Sequence, residues 1–165
     1  MNWPMIMMET VVFLALCTAM VMIPSLKNPL AGIHNYPPEI QEEYFKTHER
    51  IPTNPLSKRT ILIKSLGILI FAAVLTGGAL LAEADSFGDG FLFGILLFTA
   101  WGVYDTVFID WVLFAHMKQF RLPGTEHMEK AYTQKWFHVK VVLFPGSLYL
   151  VIVGLIVGGA VALIR

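Results

Sequence analysis

Four long apolar segments alternate with polar loops along the chain. They cover about residues 5–26, 60–82, 91–117 and 136–164. An α-helix needs about 20 apolar residues to cross the roughly 30 Å hydrocarbon core of a bilayer, and each segment reaches that length. The pattern predicts an all-α membrane protein, a bundle of four transmembrane helices that forms a single integral membrane domain over residues 1–165.

The loop between the first two spans, residues 27–59, carries a different pattern. Pro37-Pro38-Glu39 is typical of a helix start, with proline followed by an acid in the first turn. Apolar and aromatic positions then recur at helical spacing opposite glutamates: Ile40, Tyr44, Phe45 and His48 against Glu42, Glu43 and Glu49. We expect a short amphipathic helix that docks against the protein's own basic loops, since its acidic face is not attracted to anionic lipid.

The loop between the last two spans, residues 118–135, contains the turn Leu122-Pro123-Gly124. Thr125 is predicted to be the N-cap of a helix whose first turn carries Glu126 and Glu129. That helix is expected to run continuously from about residue 126 into the fourth span.

Composition supports the membrane class. The chain is 56% hydrophobic and 15% charged, whereas about 25% of a soluble domain is charged. Its net charge is zero, so no basic excess indicates nucleic acid. Cys17 is the single cysteine, which excludes an internal disulfide.

The distribution of basic residues predicts the orientation. Nine basic residues lie in the two long loops: Lys27, Lys46, Arg50, Lys58, Arg59, Lys118, Arg121, Lys130 and Lys135. The turn 83–90 holds no Lys or Arg. With four spans both basic loops share one side, which the positive-inside rule makes cytoplasmic. We expect a multi-pass protein of the cell inner (plasma) membrane with both termini outside the cytoplasm.

Small residues four apart predict where helices approach closely, because packing and polar contacts drive association in lipid. Three such pairs are present: Ala73 with Gly77, Gly90 with Gly94, and Gly154 with Gly158. Pro145 lies inside the fourth span, where proline removes a backbone donor and kinks a helix. This kink serves packing alone or builds a transporter site from a broken helix.

Asp105 and Asp110 lie inside the third apolar segment, where a carboxylate costs several kcal/mol and marks a functional site by default. On an α-helix, five positions place them roughly 140° apart, so they are not predicted to share one narrow site. Asp110 is expected to form a structural ion pair with Lys64 or Lys140. Asp105, near mid-membrane, is the predicted ion- or ligand-binding group, with Ser147 and Tyr149 within reach from the fourth span.

All five histidines fall in the cytoplasmic half of the predicted topology. With nearby acids they supply candidates for acid–base catalysis: Asp110, His116, Glu126, His127 and His138. No HxxxH, HExxH or CxxC spacing is present, so no metal site is predicted. As an alternative, His116 and His138, at the ends of neighbouring spans, could jointly bind a metal or haem; the cofactor is unknown from the sequence.

Two functional hypotheses follow. The first is a transport-related or accessory membrane protein that works as a homo-oligomer or with a partner membrane protein, with Asp105 as its key group. The second is a membrane-embedded enzyme that acts on a lipid or lipophilic substrate at the inner leaflet. Convergence of the His and Glu candidates on one cavity would favour the enzyme, and dispersal would favour the first hypothesis.

Overall fold

The computed structural model describes residues 1–50 and 57–165, except for the side chains of Ala31 and Lys64. The described chain is helical and contains no strand. The described residues form seven α-helices: α1 (Trp3–Lys27), α2 (Pro38–Tyr44), α3 (Lys58–Leu81), α4 (Phe87–Tyr104), α5 (Glu129–Tyr132), α6 (Lys135–Val141) and α7 (Ser147–Ile164). Short 3₁₀-helices at Pro29–Asn35 and Lys118–Phe120 and π-helices at Asp105–Phe114 and Val142–Gly146 join them.

Four helical stretches of the described chain are long and apolar enough to cross a membrane, as the hydrophobic pattern predicts: Trp3–Lys27, Lys58–Leu81, Phe87–Phe114 and Glu129–Ile164. The fourth is not one continuous helix. Phe144 has extended backbone angles, φ −153° and ψ 122°, immediately before Pro145. The predicted kink is therefore present.

The described residues divide into two units, of which the first comprises Met1–Phe13, 57–100 and Gly146–Arg165 and the second 14–50 and Trp101–Pro145. We refer to them as unit 1 and unit 2. A single domain over the whole chain stays a prediction.

In unit 1, α4 and α7 pack through glycines. A Cβ atom at Gly90 would lie 3.0 Å from the Cα of Gly158, and one at Gly94 would lie 3.3 Å from the Cα of Gly154. A Cβ at Gly158 would lie only 2.8 Å from the carbonyl oxygen of Phe87. Two of the three predicted small-residue pairs therefore lie at a helix contact, where the missing side chains let the backbones approach.

The third predicted pair is not at a contact. Ala73 and Gly77 are exposed, and nothing lies within 4 Å of the space that a Cβ would take at Gly77. Helix α3, which packs against α7, instead buries Ala72, Thr76 and Ala79. The small residues on two faces of α3 are equally spaced, so spacing alone does not identify the packed face.

In unit 2, α2 is the predicted amphipathic helix. Its Ile40 and Tyr44 are buried in an apolar cluster whose other buried members are Ile33, Tyr36, Phe114, Phe120, Leu122, Ala131 and Tyr132. The helix ends at Tyr44, and His48 lies beyond it with its ring stacked on Tyr44 at 4.1 Å between centroids. Docking on the protein's own second loop is thus confirmed, because Phe120 to Tyr132 belong to that loop.

The predicted role of Thr125 as an N-cap is wrong, and so is the continuous helix from residue 126. Thr125 is fully buried, and its hydroxyl donates to the carbonyl of Leu122 at 2.8 Å and lies 2.7 Å from the hydroxyl of Tyr132. Helix α5 begins only at Glu129. Burial of the Tyr132 ring brings its hydroxyl to the turn, and this long-range contact outweighs the local capping preference.

Arg121 fixes the end of the π-helix in unit 2. Its guanidinium donates to the carbonyl oxygens of Phe114 and Ala115 and lies 3.8 Å above the ring of Tyr132. Tyr36 donates from its hydroxyl to the carbonyl of Phe120 at 3.1 Å. Burial raises the pKa of Tyr36 above its ordinary value. These contacts hold the loops of unit 2 against the helix that carries both aspartates.

Candidate functional site

The helix that carries Asp105 and Asp110 is a π-helix, Asp105–Phe114, and not an α-helix. The amide of Ala115 donates to the carbonyl of Asp110, five residues back. In this geometry residues five apart lie about one turn apart on the same side. The separation of roughly 140° expected for an α-helix is therefore wrong, and the two carboxylates share a side.

Both aspartates line one cavity of unit 2, which we call the aspartate cavity. Its volume is about 330 Å³. The other lining residues come from α1, the first 3₁₀-helix, the end of α4, the π-helix Asp105–Phe114, and α6 with the residue after it. They are Val21, His34, Asn35, Trp101, Ile109, Phe137, His138, Val141 and Val142. No Lys or Arg is among these described lining residues. The cavity is therefore apolar on most of its wall and acidic at one place.

Asp110 pairs with His138 of α6. The Oδ2 atom of Asp110 lies 2.9 Å from Nδ1 of His138, and the two side chains are 18% and 11% exposed. The Nε2 atom of His138 is buried and has no hydrogen-bond partner within the described part of the chain. A neutral imidazole that donates from Nδ1 to the carboxylate keeps a lone pair on Nε2. The pair therefore resembles a carboxylate-oriented general base in its geometry.

A second, smaller cavity of about 170 Å³ reaches the same pair from another side. It is lined by Asp110, Trp111, His116, Lys135 and His138 together with Ala115, Tyr132, Thr133 and Gln134. Trp111 donates from its indole to the carbonyl of Lys135 at 3.3 Å, and the ammonium of Lys135 lies 5.1 Å from the Trp111 ring. The Asp110–His138 pair therefore borders both cavities.

Among the described side chains Asp110 pairs with His138 and not with Lys140, and its pairing with Lys64 stays a prediction. Lys140 is exposed and forms no ion pair with Asp110 in the described residues. The Lys64 side chain lies outside the described residues. Similar depth along the helices suggested a lysine partner, but depth does not specify the direction in which a side chain leaves its helix. The binding of Asp105 by Ser147 and Tyr149 stays a prediction.

The catalytic candidates are only partly brought together. Asp110, His116 and His138 line the smaller cavity, and Nδ1 of His116 lies 3.0 Å from the carbonyl oxygen of Val112. Glu126 and His127 are exposed and line none of the described cavities around the pair. Over residues 1–50 and 57–165, no group of three or more His, Cys, Asp or Glu side chains is placed to hold a metal ion.

Sequence reasoning missed three polar residues. His34 and Asn35 reach the aspartate cavity because the chain turns through the 3₁₀-helix after Asn28, whose side chain accepts from the amide of Leu30. Glu9 in α1 of unit 1 has a buried Oε2 atom with no partner in the described residues. As the one acid in the first apolar segment, Glu9 was a detectable signal, because an acid in such a segment marks a site by default.

Comparisons with protein-family models, with curated proteins and with solved structures found no match for this chain. The fold and the cavity define its class. Over its described residues it is a helical protein with four stretches long and apolar enough to cross a membrane, and its unit 2 contains a mostly apolar cavity lined by two carboxylates, one of which belongs to an Asp–His pair.

Proposed function

We propose that this chain is a multi-pass protein of the cell inner membrane with a transport-related role, and that it binds a small cation or protonated amine in the aspartate cavity. The observation that carries the proposal is the presence of Asp105 and Asp110 on one cavity whose described lining includes no Lys or Arg. A carboxylate in an apolar helix is costly, and it normally faces a polar cavity or a partner charge.

The two aspartates have different roles in this proposal. Asp110 already has a hydrogen-bond partner, because its Oδ2 atom lies 2.9 Å from Nδ1 of His138. Asp105 has no hydrogen bond or ion pair to a described residue, so its carboxylate remains for the ligand. A cavity of about 330 Å³ lies at the lower end of the range of about 300–1,000 Å³ found for small-molecule sites.

In this proposal both termini lie outside the cytoplasm, and the chain acts as an oligomer or beside a partner membrane protein.

The test is a binding measurement on the purified protein in lipid nanodiscs. Inorganic monovalent and divalent cations and small alkylamines are titrated at neutral pH and followed by calorimetry. We expect at least one of these probes to bind the wild type, and Asp105→Asn to bind it about tenfold more weakly or worse, since a hydrogen bond to a charged group contributes about 1.5–3 kcal/mol. Asp85→Asn, an exposed acid of unit 1, is the matched control. Equal binding by wild type and Asp105→Asn would contradict the proposal.

A second candidate function is supported by the geometry of the Asp110–His138 pair. With Nδ1 held by the carboxylate and Nε2 free of described partners, His138 is arranged as a general base for a lipophilic substrate at the inner leaflet. His116 on the smaller cavity is the further acid–base group. Incubation with extracted membrane lipids, followed by mass spectrometry, tests this candidate. If the chain is an enzyme, the wild type forms a product that His138→Gln does not form, and Asp105→Asn keeps most of the activity.

A further inference from the structure

A third cavity of unit 2 is an open groove on which three lysines converge. Its volume is about 580 Å³, and Lys130, Lys135 and Lys140 line it together with Thr133, Gln134, Trp136 and Phe137. We call it the lysine groove. No Asp or Glu is among these described lining residues. Gln134 donates from its side-chain amide to Glu39 at 3.2 Å.

The three lysines are available to a ligand. All are exposed, and none forms an ion pair with a described residue. Lys135 additionally lies over the ring of Trp111. Three positive charges thus line the groove with no Asp or Glu in its described lining, and an anion is the ligand class that it fits.

The groove also has an apolar side. Trp136 and Phe137 line it, Trp136 is 75% exposed, and both residues belong to the apolar stretch Glu129–Ile164. Tryptophan next to lysine is typical of the headgroup level of a membrane, where the ring meets the acyl boundary and the ammonium reaches the phosphates. A soluble phosphate ligand would not explain the exposed ring of Trp136.

We propose that the lysine groove binds the phosphate headgroup of an anionic phospholipid of the inner leaflet, with Trp136 against its acyl chains. The inference depends on the proposed membrane location, but not on a ligand in the aspartate cavity. Each lysine near an anionic surface strengthens binding about fivefold. Three lysines together give roughly a hundredfold preference over a zwitterionic lipid if their effects add.

The test compares lipid retention in nanodiscs made of phosphatidylcholine with or without phosphatidylglycerol. Native mass spectrometry counts the lipids that remain on the released protein. Wild type is expected to retain phosphatidylglycerol in preference to phosphatidylcholine. The variant K130Q/K135Q/K140Q is expected to lose this preference. The control variant K27Q/K58Q/K118Q removes the same charge from lysines outside the groove and is expected to keep it.

A second variant separates the loss of lysine charge from the loss of the Lys135–Trp111 contact. K130Q/K140Q leaves that contact in place and is expected to lose about two thirds of the preference on a logarithmic scale. Equal losses in the groove and control variants, or no loss in either, would overturn the proposal. Displacement of the lipid by inorganic phosphate or glycerol phosphate at millimolar concentration would also overturn it and would identify a soluble anion as the ligand. Recovery of the protein in the soluble fraction would refute the membrane location itself, a separate failure.

Discussion

The Asp110–His138 pair makes a quantitative prediction for stability. Asp110→Ala removes the partner of the Nδ1 atom of His138, and the pair is mostly buried, with side chains 18% and 11% exposed. Leaving a buried group without its charged partner costs about 3–5 kcal/mol, and leaving a buried polar group unsatisfied costs about 1–3 kcal/mol. Because both side chains keep some solvent contact, we expect about 2–3 kcal/mol for each single substitution.

The coupling between the two residues is measured by a double-mutant cycle. If Asp110→Ala and His138→Ala each cost about 2.5 kcal/mol and the contact contributes about 2 kcal/mol, the double variant costs about 3 kcal/mol and not about 5. For a chain of this size 1 kcal/mol shifts Tm by about 2–4 °C, so each single variant should unfold about 5–10 °C lower.

The assay is thermal unfolding of the purified variants in one detergent, followed by intrinsic fluorescence. The comparison pair is Asp110→Ala with Lys140→Met, for which effects should add within about 0.5 kcal/mol because the residues make no ion pair. Additive effects for Asp110 and His138 would refute the pairing. Non-additive effects for Asp110 and Lys140 would instead support the ion pair that their similar depth predicted.

Two further predictions concern packing and pH. Gly158→Ala should lower stability by about 1–3 kcal/mol, because its Cβ would meet backbone at 2.8 Å, whereas Gly159→Ala, which has open space, should change stability little; equal thermal shifts would contradict this. Burial raises the pKa of Tyr36, so its contribution to stability is complete below its unfolded pKa of about 10 and is lost as the pH rises further. Tyr36→Phe should therefore lower stability at neutral pH but flatten its alkaline decline, as measured by unfolding between pH 8 and about 11.

The helices that the sequence predicts best are those whose signal is local. The first two apolar stretches, α1 and α3, begin and end within a few residues of their predicted bounds, because length and hydropathy alone define them. Helix α2 was also predictable, since Ile40 and Tyr44 lie one turn apart and both need burial.

The candidate site was less predictable because it depends on a departure from α-helical geometry. The predicted angular separation of Asp105 and Asp110 assumed 100° per residue, and the π-helix changes the relation between them. His34 and Asn35 reach the aspartate cavity from a 3₁₀-helix far away in sequence. No periodicity within one segment encodes such a contact.

The π-helix links the stability of unit 2 to its proposed ligand. Two carboxylates one turn apart repel each other, and an apolar environment strengthens that repulsion. His138 of α6 forms a hydrogen bond with the Asp110 carboxylate, so the fold stabilises this aspartate without a ligand. The other, Asp105, is left on the cavity wall, where a cation would offset its charge. Removal of Asp110 should therefore destabilise the fold, whereas removal of the Asp105 charge should leave the protein at least as stable without ligand and abolish the stabilisation that a bound cation provides.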